Sequence, residues 1–294
     1  MRASPIDDLP RPLAIVCHDA GAANIILHAI GEAADGVRIW TEGPADRIAA
    51  AVGHPRNVPN LEAALDGAAT LLSGTGWASD LEHRARALAR ERSIRSIAVL
   101  DHWVNYPQRF VRDGHEVLPD RWWVTDRFAL AEARKHFDAA RIDQVANFYA
   151  LEQLASVAPV SAGTPNRLLY VLEPARSTWG KDSPGEFQAL DYFVERLPTL
   201  GLPSRTEISL RPHPSDPPGK YDDWISKHAN MGISLDLSAG ISEAIGDSRW
   251  VAGCESFALA LALETGRPVF CTLPPHAPPC RLPHDRIIHI QAME

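Results

Sequence analysis

Short apolar runs, each followed by a turn of small or polar residues and then by a helix-periodic stretch, recur along this chain. That alternation constrains its fold more than any other feature. Leu13-Ala-Ile-Val-Cys17 runs into His18-Asp19-Ala20-Gly21 and then into apolar periodicity from Ala22 to Ala33, which reads as strand, turn and helix. Val37–Trp40, Ala69–Leu72, Ile94–Leu100 and Trp122–Thr125 read as further strands. Leu81, Ala85, Leu88 and Ala89 recur at helical spacing within Asp80–Arg92, with Ser79 and Glu82 placed to form a capping box. Asp126 or Thr125 caps a predicted helix over Ala129–Phe137. Strands alternating with helices of this length build parallel sheets, because a parallel connection needs a crossover segment packed on the sheet face.

The pattern breaks at Ala158-Pro-Val-Ser-Ala-Gly-Thr-Pro165, a linker-like stretch, and then restarts. Strands are predicted at Arg167–Leu172, Glu207–Leu210, Ile233–Asp236, Trp250–Ala252 and Pro268–Thr272. The helices between them are predicted at Gly185–Leu197, Tyr221–His228, Ile241–Ile245 and Ser256–Glu264. At 294 residues the chain has room for two domains. The expected architecture is α/β, two facing Rossmann-like domains with a cleft between them, residues 1–157 and 166–294.

Composition excludes several function classes. The longest apolar run, Phe257–Leu263, is far short of the ~20 residues that cross a bilayer, and the polar, acidic start lacks an export signal's apolar core. A cytoplasmic protein is expected, with peripheral membrane contact left open. A net charge of −8 argues against nucleic acid as partner. The four cysteines form no C-x-x-C pair, no two histidines stand at i and i+4 on a predicted helix, and no Asp-x-Asp ends a strand, so neither metal nor cofactor is expected. No Gly-x-Ser-x-Gly elbow supports a hydrolase triad.

The chemistry-bearing motifs stand where strands end, the place at which open parallel sheets collect anionic ligands. After the strand Glu207–Leu210 comes Arg211-Pro212-His213-Pro214. The two prolines restrict how the imidazole is aimed, and Arg211 adds charge for a phosphate; the competing reading is a rigid turn. Gly253-Cys254-Glu255-Ser256 precedes an apolar helix. Ser256 and the first free N–H groups suit a phosphate and Glu255 suits ribose hydroxyls, unless Ser256 serves only its own helix. Asp19, with Gly21 and Asn24, ends the first strand as a general base or as a cap. Ser73-Gly74-Thr75-Gly76-Trp77 is a small-residue loop after a strand that resembles a phosphate-cradling turn, without a following Gly-Lys-Ser/Thr, and could equally line an acceptor pocket. Asp101-His102-Trp103-Val104-Asn105-Tyr106 clusters acid, imidazole, amide and aromatic groups suited to a sugar, the competing reading being half-buried aromatics that pack between domains. Glu173 and Arg176 follow the first strand of the second half.

The order of these pieces resembles the GT-B glycosyltransferases, and more closely the bacterial sialyltransferase and polysialyltransferase group with its capsule and lipopolysaccharide relatives. The matching residues are Asp19, His213-Pro214 and Ser256. The resemblance implies that the aspartate is the base, that the histidine assists a leaving CMP phosphate, and that the late hydroxyl binds that phosphate. The first motif is Asp-Ala-Gly rather than an acid pair before glycine, which leaves the base open between Asp19 and Asp101. The expected partners are a nucleotide sugar, sialic-acid-like or Kdo-like, and a glycan or other hydroxyl acceptor in surface-glycan synthesis. The alternatives are a nucleotide-sugar 2-epimerase, a CDP-alditol phosphotransferase, or a non-catalytic module that binds nucleotide or a partner.

Overall fold

A computed structural model describes residues 4–31, 35–173, 179–180 and 183–293. The chain divides into two compact units, Met1–Leu151 and Glu152–Glu294. Unit 1 contains β1 (Leu13–Cys17), α1 (Ala20–Leu27), β2 (Val37–Thr41), α2 (Pro44–Ala51), α3 (Leu61–Leu65), β3 (Thr70–Ser73), α4 (Leu81–Glu91) and β4 (Arg95–Val99). The hairpin β5 (Val111–Arg112) and β6 (His115–Glu116) follows, then β7 (Arg121–Val124), α5 (Arg127–Ala133), β8 (Ile142–Gln144) and α6 (Phe148–Ser156). The division between the units falls inside α6. Unit 2 continues with β9 (Arg167–Val171), α7 (Gly185–Arg196), β10 (Glu207–Arg211), α8 (Asp222–Lys227), β11 (Ile233–Leu235), α9 (Ile241–Gly246), β12 (Trp250–Gly253), α10 (Phe257–Glu264), β13 (Val269–Cys271) and β14 (Ile288–His289).

Each unit holds a six-stranded parallel sheet, in the order β2-β1-β3-β4-β7-β8 in unit 1 and β11-β10-β9-β12-β13-β14 in unit 2. The second follows the Rossmann order 3-2-1-4-5-6. Both sheets reverse direction of growth once, between β1 and β3 and between β9 and β12. Helices cover the faces, so central strands such as β1 are buried along their whole length, as parallel sheets require. Leu13, Ile15 and Cys17 pack on one side with Ile26 and Leu27 of α1, while Ala14 and Val16 pack on the other with Leu81 and Ala85 of α4. The period-two alternation of one strand thus feeds two core layers.

Several expected boundaries are corrected. α1 ends at Leu27 instead of Ala33: His28 is its C-cap, and His28 Nδ1 lies 2.9 Å from Asn24 O, the carbonyl that the His28 amide also meets. α5 ends at Ala133, four residues early, because Phe137 turns inward to stack on Trp122 at 4.4 Å. Its cap is Asp126, whose Oδ1 accepts from the Phe128 and Ala129 amides. The capping box of α4 is absent: Asp80 is the N-cap without a side-chain bond, and Glu82 turns elsewhere. The stretch 158–165 belongs to unit 2, where Arg249 donates to the carbonyls of Thr164, Ser161 and Ala162, and Arg267 to that of Ala158. Among the described residues no helix is long and apolar enough to cross a membrane.

Candidate functional site

In an open parallel sheet the loops on either side of the order reversal part, leaving a crevice at the carboxyl ends of the strands. In unit 1 that point is shared by the loop after β1, carrying His18 and Asp19, and the loop after β3, carrying Gly74, Thr75 and Gly76. Three carboxylates collect there, and glycines make the room. A Cβ at Gly76 would overlap the Asp19 carboxylate, one at Gly74 the Glu82 carboxylate, and one at Gly21 the Asp101 carboxylate. At Gly43, φ is +58° and a Cβ would stand 2.6 Å from His18 Nε2, so glycine is required there twice over.

Asp19 and His18 form a pair, with Oδ1 2.8 Å from Nδ1 and side chains 25% and 18% exposed. Asp19 is the N-cap residue of α1 by position but makes no side-chain capping bond, so its carboxylate is directed to His18. Glu82 is 1% exposed. It accepts the His18 amide at 3.0 Å and the Gly76 amide at 2.6 Å, tying the loop after β1 to the loop after β3. Burial pushes its carboxyl up to about 7, against the opposing effect of the His18 amide. A carboxyl group poised near neutrality is suited to acid–base work. Asp101, at the end of β4, is instead held by the buried Arg109 guanidinium at 2.7 Å.

The acceptor-side residues expected from sequence divide by burial. Gly21 and Asn105 are exposed, and Asn24 and His102 are half-buried. Asn105 takes a left-handed φ of 60°. Thr75 is fully buried, its hydroxyl donating to Val99 O at 2.9 Å and accepting from Arg109 at 3.2 Å. Trp103 is buried with Nε1 donating to Asp126 at 2.9 Å, and Tyr106 is buried with its ring stacked on Phe137. In these three the polar atoms or ring faces are turned into the unit.

In unit 2 the order reversal brings the end of β9, with Glu173, beside the loop after β12, with Cys254, Glu255 and Ser256. Gly253 is the close approach that permits this: a Cβ there would stand 2.7 Å from the Val171 carbonyl oxygen, backbone that cannot swing aside. The buried Glu173 carboxylate accepts the Glu255 amide. Glu255 is gripped by Arg281, whose Nη2 lies 2.5 Å from Oε1 and whose amide donates to Oε2 at 3.0 Å. Its expected ribose contact is therefore shared with an arginine 26 positions away that no local motif announces. Ser256 caps α10, its Oγ accepting the Ala258 amide at 3.2 Å. Arg176 lies outside the described residues.

Arg211 ion-pairs with Asp236 and donates to Ser238 O at 3.2 Å, so its charge is met within the unit rather than held free beside His213. His213 is half-buried, between Pro212 and the exposed Pro214. Its amide donates to Asp216 Oδ2 at 3.0 Å, and Asp216 in turn binds Lys220 Nζ at 2.7 Å. Burial lowers the imidazole pKa, with Asp216 opposing and Lys220 assisting.

Sequence reasoning missed Glu82, Arg109 and Arg281 as members of these clusters. Glu82 alone carried a signal, since it opens a helix directly after a Gly-x-Gly loop, but the same position suits a capping residue.

No family model matches the chain, and no curated protein matches it. Solved structures do. UDP-GlcNAc 2-epimerase from Neisseria meningitidis bound to UDP-GlcNAc superposes with TM-score 0.61 at 10% identity, over 88% of this chain and 82% of that one. The glycotransferase of kitacinnamycin gives 0.58 at 14%, over 97% and 88%. The S. aureus MnaA–UDP co-structure gives 0.58 at 11%, over 88% and 78%. At these identities the likeness is one of fold: two Rossmann-like α/β units, as in proteins of the GT-B fold.

Proposed function

We propose that this chain is a metal-independent glycosyltransferase that moves a sugar from a nucleotide donor to a hydroxyl acceptor. The observation that carries the reading is the Asp19–His18 pair at the order reversal of unit 1: a carboxylate bonded to an imidazole, partly open to solvent, beside a second carboxyl that titrates near neutrality. Such a pair can take the proton of an acceptor hydroxyl as the glycosidic bond to phosphate breaks. Asp19 is the base in this reading, since the Asp101 carboxylate is engaged by the buried Arg109 guanidinium. Unit 2 serves the donor: His213 and the first amides of α10 meet the phosphate charge, while Glu255, positioned by Arg281 and by the hydrogen bond from its amide to Glu173, meets the ribose hydroxyls.

A second reading, 2-epimerisation of a nucleotide sugar, is favoured by two carboxyl groups, Asp19 and Glu82, standing at the same pair of loops. Inverting a carbon requires a proton to leave one face and return to the other, hence two acid–base groups. The three solved structures named above are a UDP-GlcNAc 2-epimerase, a glycotransferase and a protein complexed with UDP, which supports a nucleotide-sugar enzyme without choosing between the readings.

The test has two parts. UDP, CMP, CDP and GDP are compared for their effect on thermal stability; a specific nucleotide at ~100 times its Kd adds about 2.7 kcal/mol. Products from UDP- and CMP-linked sugars, with and without hydroxyl acceptors, are then resolved by mass and NMR. A new glycoside supports transfer and a C2 epimer of the unchanged donor supports the second reading. Absence of both nucleotide stabilisation and turnover defeats the proposal.

A further inference from the structure

The contacts of the His213 ring specify which of its nitrogens carries a proton. Nδ1 lies 2.7 Å from Ser215 Oγ and 3.2 Å from the Ser215 backbone nitrogen. A backbone N–H donates and does not accept, so Nδ1 presents its lone pair to that amide. The Ser215 hydroxyl rotates freely and can donate to the same lone pair. A proton on Nδ1, in either the imidazolium or the other neutral tautomer, would set two N–H groups against each other.

The charges around the ring point the same way. The carboxylate on this turn, Asp216, accepts the His213 amide at 3.0 Å, the Tyr221 hydroxyl at 3.1 Å and Lys220 Nζ at 2.7 Å. Lys220 also pairs with Glu186 of α7 at 2.7 Å. Asp216 is thus committed to a cation and two hydrogen-bond donors, none of them the imidazole.

We infer that Ser215 is a positioning residue that holds His213 as the neutral imidazole with its proton on Nε2, so that the ring offers a phosphate an N–H hydrogen-bond donor rather than an imidazolium acid. The role in turnover rests on the reading of His213 as a phosphate-side group; the protonation state does not. As the bond from anomeric carbon to phosphate oxygen breaks, its electron pair stays on that oxygen, Nε2 keeps its proton, and the hydrogen bond strengthens with the growing charge. Burial of the ring and the Lys220 charge, which lower the His213 pKa against the pull of Asp216, agree with this state.

The experiment is long-range 15N–1H NMR of the imidazoles in the full chain labelled with 15N-histidine, without ligand, with the His213 signals assigned through His213→Gln. At about pH 7.5, above the ordinary histidine range, His213 shows the neutral Nε2–H pattern. Imidazolium or the Nδ1–H tautomer at that pH overturns the inference. Ser215→Ala, on an exposed turn, keeps the backbone amide but removes the hydroxyl donor to Nδ1, so the Nδ1–H population rises by about three- to tenfold, the scale of one hydrogen bond, while Nε2–H stays the major form, and kcat falls by no more than that at unchanged KM; Ser215→Thr restores both. If Ser215→Ala leaves the tautomer ratio of wild type, Ser215 has no positioning role. The Nε2–H pattern together with no turnover of any nucleotide sugar upholds the inference and removes the proposed function instead.

Discussion

Replacing Glu82 by glutamine should remove a pH dependence from the stability of unit 1. The carboxyl is 1% exposed, and burial raises it from the ordinary 4.5 to about 7. A group whose folded pKa is raised binds its proton more tightly in the folded state. Its stabilising contribution is therefore complete below about 4.5 and is lost as pH rises through about 7. At ~1.4 kcal/mol for each tenfold change in proton affinity, that interval amounts to about 3 kcal/mol. Glutamine has no proton to lose. Its amide would set an NH2 against the amide of His18 or Gly76, an offset of roughly 1–3 kcal/mol that does not vary with pH. The quantity to follow is the unfolding free energy of wild type minus that of Glu82→Gln between about pH 4 and pH 8, a subtraction that cancels the other titrating groups. Hydrogen exchange of the β1 and β3 amides in graded denaturant reports on unit 1 alone, which matters because a two-unit chain need not unfold in one step. The difference should fall by about 3 kcal/mol across that range. A difference that stays constant would mean that Glu82 titrates as an ordinary carboxylate, and the acid–base reading of the cluster would lose its support.

Asp19→Asn should abolish most turnover while leaving the fold intact by circular dichroism. Asp101→Asn should act first on stability, since it leaves the buried Arg109 charge unpaired at about 3–5 kcal/mol, read as a lower denaturation midpoint of unit 1. The opposite pattern would exchange their roles. His213→Ala should lower kcat by ~10²–10³-fold with KM nearly unchanged, the effect of losing one preorganised donor, and a normal kcat would reduce the histidine to a turn residue. Gly76→Ala should displace the Asp19 carboxylate and depress kcat, whereas Gly53→Ala, with open space around its Cβ, should leave kcat unchanged. Equal losses in the two would refute the packing argument; at Gly53 the positive φ of 79° predicts a stability cost only. Nucleotide affinity measured by calorimetry should be the same with and without chelator, and a large loss on chelation would show that phosphate charge is met by a divalent ion.

Much of this protein is written locally. The apolar runs at Leu13–Cys17, Arg167–Val171 and Trp250–Gly253 are buried strands, the Asp126 and Ser256 caps stand where their side chains and the following apolar residues put them, and Asp19, His213 and Ser256 all follow strand ends. Periodicity and capping report the environment of a few neighbouring residues, so they survive without knowledge of the rest of the chain. Short helices such as Leu61–Leu65 escaped notice because a single turn offers too few positions to display a period. What only the tertiary structure decided is which strand ends meet. Pairing β1 with β3 sets Asp19 over Gly76 and turns Glu82 from a helix cap into the buried tie between two loops. Pairing β9 with β12 brings Glu173 under Glu255, while the return of the chain after β13 delivers Arg281 to it. Arg211, free to a sequence reader, is claimed by Asp236 because β10 and β11 are neighbours. Strand order is settled by how crossover helices pack on the sheet faces, a sum over contacts distant in sequence, and a side chain with two chemically equivalent roles takes the one that this packing brings within reach.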